Sequence, residues 1–199
     1  MGRQAQPKNI DLLHAKRVLW CQQLFPHFQK YGLKAFGMDQ VALALGKSKT
    51  TVYKYFKSRE DILEQMIGQK LGEASSFQAE LSNKDLSFEK RYSNAVSIFS
   101  QNIKGISNLF LKDLKKFHPV LWEQVFNFQF LALGFLEEFY REGLAAGSFE
   151  GELKSFLISD QIIFSALLNP DFLIDQKTTL QEALQDYLLL KCFGMLARG

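Results

Sequence analysis

Side chains that can bind a polyanion are concentrated between residues 47 and 59 of this sequence. The cluster combines cationic groups, which attract phosphates, with hydroxyl groups, which hydrogen-bond to phosphate oxygens or to base edges. Its members are Lys47, Ser48, Lys49, Thr50, Thr51, Tyr53, Lys54, Tyr55, Lys57 and Arg59. This composition predicts a surface that binds DNA.

Residues typical of catalysis or metal binding are scattered along the chain. His14, His27 and His118 lie far apart, and neither Cys21 nor Cys192 has another Cys or a His at ligand spacing. No nucleophile-base pair and no glycine-rich phosphate loop is visible in the sequence. We therefore expect a protein that is not an enzyme, with no cofactor, no metal site and two reduced thiols.

Three residues just before and within the basic cluster have the spacing of a helix-turn-helix. Ala42 lets two helices cross closely, and Gly46 can take the positive φ of a tight turn at little cost. Val52 is predicted to fill the angle between the helices. The second helix of such a hairpin fits the major groove of DNA. Two alternatives remain open: a packing unit with a solvated basic face, and a protein-interaction module whose basic hairpin binds an acidic partner.

The net charge of +3 over 199 residues is divided unevenly along the chain. Residues 1–72 carry 12 Lys and Arg against 5 Asp and Glu, a balance of +7, whereas residues 73–199 carry 12 against 16, a balance of −4. Fifteen of the 19 phenylalanines lie in the second part. We predict two domains: a DNA-binding domain over residues 1–57 and a larger domain over residues 58–199.

Apolar residues recur at steps of three and four, which predicts an all-α fold. The first helix carries Pro26, which is expected to kink it or end its regular part early. A capping box at Thr178 and Gln181 is predicted to open the last helix. The predicted helices cover about residues 10–30, 39–45, 48–56, 58–71, 87–106, 108–117, 119–146, 153–168 and 178–197.

The N-terminal part resembles the TetR family of bacterial transcriptional repressors. The resemblance rests on residues 36–63, FGMDQVALALGKSKTTVYKYFKSREDIL, which look like helices two and three of the family and the start of helix four. It extends back to residues 28–32 and forward, more weakly, to DLKKFHPVLWE at 113–123 and EGLAAGSFEGEL at 142–153. It implies a three-helix N-terminal DNA-binding domain and a C-terminal helical bundle for effector binding and dimerisation.

The resemblance also implies roles for individual residues. Ser48 would cap the recognition helix, and Thr50, Thr51 and Lys54 would face bases or phosphates. Tyr53, Tyr55 and Arg59 would contact the DNA backbone or support such contacts. The sequence departs from the family at Gly37, where the family usually has a Thr or Ser that caps helix two, and at Lys47, where the turn is usually apolar. Pro26 and His27 also replace residues usual in the first helix.

In this family the C-terminal helices form a dimer interface and an effector pocket. Apolar stripes on the last two long helices are predicted to form the interface: Phe156, Phe164, Leu168, Leu184, Tyr187, Leu188 and Met195. The alternative is that these stripes face the chain's own core. The predicted pocket walls are Phe99, Phe110, Phe117, Trp122, Phe126 and Phe164, with His118 or Gln129 as polar contacts. An aromatic, largely uncharged wall favours a hydrophobic or aromatic effector.

The most apolar segment, residues 126–139, is shorter than a membrane span and is interrupted by Asn127, Gln129 and Glu137. No apolar stretch follows the N-terminal basic residues, so secretion is not expected. The sequence therefore predicts a cytoplasmic regulator. Its expected partners are a double-stranded DNA operator, a small-molecule effector and a second copy of the chain, with no membrane.

Overall fold

The protein is described by a computed structural model that covers the backbone of residues 7–196 and the side chains of residues 11–196. The described residues form α-helices joined by short loops, which confirms the predicted all-α fold, and one isolated bridge pairs Phe149 with Leu196. The helices are α1 (Pro7–Ala35), α2 (Met38–Ala44), α3 (Lys49–Tyr53), α4 (Arg59–Ala74), α5 (Phe77–Leu81), α6 (Phe88–Asn102), α7 (Asn108–Phe117), α8 (Pro119–Ala145), α9 (Leu153–Leu167), α10 (Pro170–Asp175) and α11 (Leu180–Met195). The predicted end of the last helix, Ala197, lies outside the described residues.

The chain divides into an N-terminal unit, Met1–Gln69, and a C-terminal unit, Lys70–Gly199. This division falls inside α4, because the first turns of α4 are bonded to α1. The Cys21 thiol, for example, donates to the backbone oxygen of Ile62 at 3.8 Å. The domain boundary after Lys57 lies just before α4 and, as a functional boundary, stays a prediction.

Helix α1 keeps helical backbone angles through Pro26 and loses them only at Gly32, where φ is 76° and ψ is 168°. Pro26 therefore does not end the helix, whereas a kink of the helix axis at Pro26 stays a prediction. The helical angles are lost later, at Gly32, because glycine adopts a positive φ without a Cβ clash. The core of the N-terminal unit is built from apolar side chains of α1 to α4: Trp20, Leu24, Phe28, Val41, Val52, Phe56, Ile62 and Leu63.

Two short helices of the C-terminal unit, α5 and α10, are absent from the sequence prediction. The helix predicted over residues 153–168 is followed directly by α10, because the Asn169 side chain accepts a hydrogen bond from Asp171 N at 3.3 Å and caps this second helix. The cap of the last helix lies one residue later than predicted. Its capping box is formed by Thr179 and Glu182, not by Thr178 and Gln181.

A buried arginine connects three helices of the C-terminal unit. Arg91 on α6 donates to the carbonyl oxygen of Leu81, at the end of α5, and through Nη2 to Glu142 Oε2 on α8 at 2.9 Å. Its guanidinium lies between the rings of Phe88 and Phe139, 4.7 and 5.1 Å from their centroids. The hydrogen bond from Arg91 lowers the pKa of Glu142 and so favours its ionised form.

A second buried polar cluster connects α8, α9 and α11. The Lys191 ammonium lies 2.5 Å from Asp160 Oδ1, and the hydroxyls of Tyr140 and Tyr187 donate to the same carboxylate at 2.9 and 3.0 Å. Burial raises the pKa of Asp160, and the charge of Lys191 opposes that shift. The four groups satisfy one another in a region where an unpaired charge is costly.

Gly143 on α8 provides a test of this packing. A Cβ at this position would overlap the ring of Phe149, which is held by the rings of Phe88 and Phe139 at 5.3 and 5.4 Å. We expect Gly143→Ala to lower the free energy of unfolding by about 1–3 kcal/mol, measured by urea denaturation. Gly134 on the same helix has open space around it, so Gly134→Ala should instead stabilise the protein by up to about 1 kcal/mol. Equal stability of the two variants would contradict this account.

Candidate nucleic-acid interface

The turn between α2 and α3 has the geometry of a helix-turn-helix. Gly46 has a positive φ of 61°, and Lys47 N donates to Ala42 O at 2.9 Å, which closes the turn. Val52 is fully buried and Ala42 is 6% exposed, so a small residue and a branched one meet where the helices cross. The predicted hairpin is confirmed, although α3 is shorter than predicted and ends at Tyr53.

The two helices of the hairpin begin in different ways. Ser48 caps α3, because its Oγ accepts a hydrogen bond from Thr51 N at 3.1 Å. Gly37 precedes α2 and has no side chain to serve as a cap, but Gln40 Oε1 accepts from Gly37 N at 3.1 Å. The Thr51 hydroxyl lies 2.9 Å from Ser48 Oγ, so Thr51 takes part in the cap as well.

The predicted DNA-contacting residues separate into an outer and an inner group. The outer group is exposed to solvent: Lys47, Ser48, Lys49, Thr50, Tyr53, Lys54 and Lys57. The inner group is half-buried: Thr51, Tyr55 and Arg59. Within residues 11–196, Lys47, Lys54 and Lys57 form no ion pair, whereas Lys49 pairs with Asp39. The outer group therefore presents exposed cations and hydroxyls, which are groups that can contact phosphates and base edges.

The side chains of Tyr55 and Arg59 make contacts within the protein, to residues of α1. The ring of Tyr55 lies 4.6 Å from that of Trp20 on α1. Arg59 Nη1 donates to Leu33 O at 2.9 Å and so connects the start of α4 to the end of α1. These contacts fit the supporting role that the resemblance implied for both residues, and direct contact with DNA stays a prediction.

Asp61 in the first turn of α4 is a supporting residue that is absent from the predicted DNA-contacting set. One oxygen of its carboxylate pairs with Arg17 of α1, and the other accepts from Lys57 N at 2.8 Å. The Arg17 guanidinium also lies 5.0 Å from the centroid of Phe56. Asp61 thus joins α1, the segment after α3 and the start of α4. An acid four residues after Lys57, inside a basic segment, was the available signal.

The predicted pocket residues have different environments in the C-terminal unit. Phe110, Gln129 and Phe164 are buried, Phe117 is exposed, and the others are half-buried: Phe99, His118, Trp122 and Phe126. Phe99 stacks on Phe128 at 6.5 Å, whereas Phe164 contacts Tyr187 at 6.2 Å. A common pocket wall formed by these residues stays a prediction.

Gln129 is the most distinctive of them. It is 4% exposed, and its Oε1 accepts a hydrogen bond from Ser165 Oγ at 3.0 Å. Its buried Nε2 has no hydrogen-bond partner among the described residues. A buried donor without a hydrogen-bond partner lowers the stability of the protein by roughly 1–3 kcal/mol, and a bound acceptor would recover that free energy.

The stripes predicted for the dimer interface face largely inward. Leu184, Leu188, Met195 and Phe164 are at most 8% exposed in the single chain, and Phe156, Leu168 and Tyr187 are half-buried. The opposite faces of α9 and α11 carry exposed apolar residues that the sequence analysis did not select: Ile158, Ile162, Leu190 and Phe193. Four of the seven predicted residues therefore belong to the core of the unit, because each helix has apolar residues on two faces and the larger stripe is the buried one.

Two kinds of feature are absent from residues 11–196. No group of three or more His, Cys, Asp or Glu side chains there is arranged to hold a metal ion. Among the described helices, none combines the length and apolar character needed to cross a bilayer.

Residues 27–66 match the sequence model of the tetR family of bacterial regulatory proteins. A curated relative, the uncharacterised HTH-type transcriptional regulator YvaF of Bacillus subtilis, is 27% identical over 89 residues. That match covers 44% of this chain and 47% of YvaF, so it spans about half the length of the relative. The matched family segment includes the whole helix-turn-helix.

Solved structures of transcriptional regulators, two of the following three described as TetR family members, have the same fold over nearly the whole chain. One from Agrobacterium tumefaciens has a TM-score of 0.68 at 13% identity, covering 93% of this chain and 100% of that one. PfmR from Thermus thermophilus has a TM-score of 0.65 at 18% identity, covering 90% and 99%. The ketosteroid regulator KstR2 of Mycobacterium tuberculosis has a TM-score of 0.63 at 13% identity, covering 92% and 96%. At these identities the likeness shows the fold.

The contacts of Asp61 give a prediction for the N-terminal unit. We expect Asp61→Ala to lower its free energy of unfolding by about 1–3 kcal/mol, because Arg17 and Lys57 N lose their acceptor. Trp122→Phe leaves Trp20 as the single tryptophan, so urea unfolding of this unit can be followed by its fluorescence. Glu64→Ala, at an exposed position of the same helix, is the control and should change stability little. An unchanged Asp61→Ala midpoint would show that the carboxylate does not hold these elements together.

Proposed function

We propose that this chain, a TetR family DNA-binding transcriptional regulator, works as a homodimeric repressor that holds a palindromic operator and releases it when a small effector binds. The observation that carries the proposal is the helix-turn-helix with its exposed cationic and hydroxyl side chains on and around α3. Such a protein acts where the chromosome is, so we place it in the cytoplasm.

In this proposal α3 enters the major groove. Thr50 is exposed and can offer its hydroxyl and methyl groups to base edges, whereas Thr51 shares its hydroxyl with the cap of α3. Lys54 and Lys57 are exposed near the end of α3 and can contact phosphates. Base contacts would then set sequence preference, and lysine contacts would set overall affinity and its dependence on salt.

Dimerisation is supported by the exposed apolar faces of α9 and α11. Ile158 and Ile162 are 46% and 61% exposed on α9, and Leu190 and Phe193 are each 74% exposed on α11. Exposed apolar side chains on two neighbouring helices are typical of a surface that a partner covers. Two helices from each of two copies form a four-helix interface in a symmetric dimer. Two α3 helices can then bind half-sites about one DNA turn apart.

Effector binding is proposed for the C-terminal unit. Its richness in phenylalanine favours a hydrophobic or aromatic molecule, and the buried Nε2 of Gln129 offers a hydrogen bond to an acceptor on that molecule. In this proposal the effector binds more tightly to a conformation in which the spacing of the two DNA-binding domains does not fit the operator. Effector binding then shifts the protein population away from the DNA-bound form.

The operator and its contacts can be tested together. Selection of tight binders from a random-sequence duplex library should yield an inverted repeat with half-sites about one helical turn apart. On that operator, Thr50→Ala should relax preference at one position per half-site by about 1–3 kcal/mol. Lys54→Ala should weaken all duplexes and reduce the salt slope by about 1 per head, measured by fluorescence anisotropy.

Failure of the selection to enrich any inverted repeat would contradict the repressor proposal. If Thr50→Ala left binding unchanged while an acidic protein competed with DNA, the basic hairpin would instead be a protein-interaction surface.

The dimer face has its own test. We expect Phe193→Glu to convert the protein to a monomer, because a carboxylate at the centre of an apolar interface loses its hydration. Light scattering coupled to size-exclusion chromatography measures the mass directly. Leu109→Glu, at an exposed apolar position of α7, is the matched control and should stay dimeric. A dimeric Phe193→Glu protein would place the interface elsewhere.

A further inference from the structure

One carboxylate lies within the basic helix-turn-helix. Asp39 is the only acidic residue in the segment from 37 to 57, which holds four lysines. Its Oδ1 lies 2.5 Å from the Nζ of Lys49, so the pair joins α2 to α3 across the hairpin. The two side chains are 74% and 50% exposed, which places the pair at the surface beside the side chains that would meet phosphates.

The positions of the two residues explain why they pair. Asp39 lies in the first turn of α2, where a negative charge is favoured by the helix dipole. Lys49 is the first residue of α3, where a positive charge is disfavoured for the same reason. The Asp39 carboxylate compensates that unfavourable charge, and its hydrogen bond raises the pKa of Lys49. An ion pair this exposed contributes little to folding, so its larger effect is expected on what binds the surface.

The pair sets Lys49 apart from the other lysines of the segment. Within the described part of the chain, Lys47, Lys54 and Lys57 are exposed and have no acidic partner. A lysine held by a carboxylate is withheld from DNA phosphates, and the carboxylate itself repels them. Each phosphate contact that is lost lowers affinity for any duplex, whatever its sequence, and reduces the salt slope by about 0.9.

We propose that Asp39 restrains non-specific DNA binding by forming an ion pair with Lys49, so that each helix-turn-helix makes one phosphate contact fewer than its lysines would allow. The proposal rests on the DNA-binding part of the proposed function and requires neither the dimer nor the effector. Specificity is the ratio of the affinity for the operator to the affinity for other DNA. An ion pair that weakens binding to other DNA therefore increases the fraction of the binding free energy that comes from base contacts.

The test uses a fluorescent duplex of random sequence, about 30 base pairs long, so that no operator is needed. Anisotropy titrations over a range of NaCl concentrations give the dissociation constant and the salt slope. Asp39→Asn should bind about three- to tenfold more tightly at low salt, with a slope steeper by about 1 per head. Asp39→Glu keeps a carboxylate within reach of Lys49 and should restore the wild-type slope.

Two comparisons separate the ion pair from general charge effects. Glu64→Gln removes the same charge at an exposed position of α4 and should change the slope much less than Asp39→Asn. In a Lys49→Ala background, Asp39→Asn should lose most of its effect, because the two residues are coupled. Far-UV circular dichroism verifies that each variant remains helical.

Three results would overturn the inference: an unchanged slope in Asp39→Asn, an equal gain in Glu64→Gln, or a full Asp39→Asn effect without Lys49. Failure of the wild-type protein to bind any duplex at low salt is a different outcome. It would overturn DNA binding itself, and the inference with it.

Discussion

The burial of Val52 is the interaction on which the DNA-binding surface depends. Helix α3 has only five residues, Lys49–Tyr53, and a helix of that length has no stability of its own. Its position is therefore set from outside: Val52 is inserted into the core, Ser48 caps its start, and Ala42 allows the close approach of α2. Every exposed residue of α3 takes its direction from that one buried side chain.

The remaining contacts of the N-terminal unit keep this arrangement rigid. Asp61 and Arg59 both connect α4 to α1, and Tyr55 packs on Trp20. Arg59 and Tyr55 of the basic segment thus make contacts within the protein. The residues of that segment that remain exposed are lysines with hydroxyl-bearing residues between them. A supporting layer of this kind lets a short helix hold its side chains in one geometry before a ligand is bound.

Local signals made much of the fold predictable, and their limits explain the errors. Gly46 acts on its own backbone, so the turn it forms was predicted, and α8 begins at residue 119 as predicted. The cap formed by Ser48 was implied by the family resemblance. Helices α5 and α10 span about one and a half turns, too short for a 3.6-residue period to be recognised. Periodicity also finds an apolar stripe without showing what covers it, as Leu188 and Leu190 illustrate: one is buried and the other is 74% exposed. Asp39 escaped notice because no sequence pattern reveals that its carboxylate meets Lys49.

The interior of the C-terminal unit bears on its exposed apolar face. Apolar stripes alone would tolerate a shift of α11 along α9, because one leucine replaces another. A shift of one turn, however, would separate Asp160 from Lys191 and leave two charges buried without partners, at a cost of about 3–5 kcal/mol. The buried pair therefore specifies one register, and that register fixes where Ile158 and Ile162 lie relative to Leu190 and Phe193. A polar cluster inside the unit thus determines the shape of its exposed apolar surface.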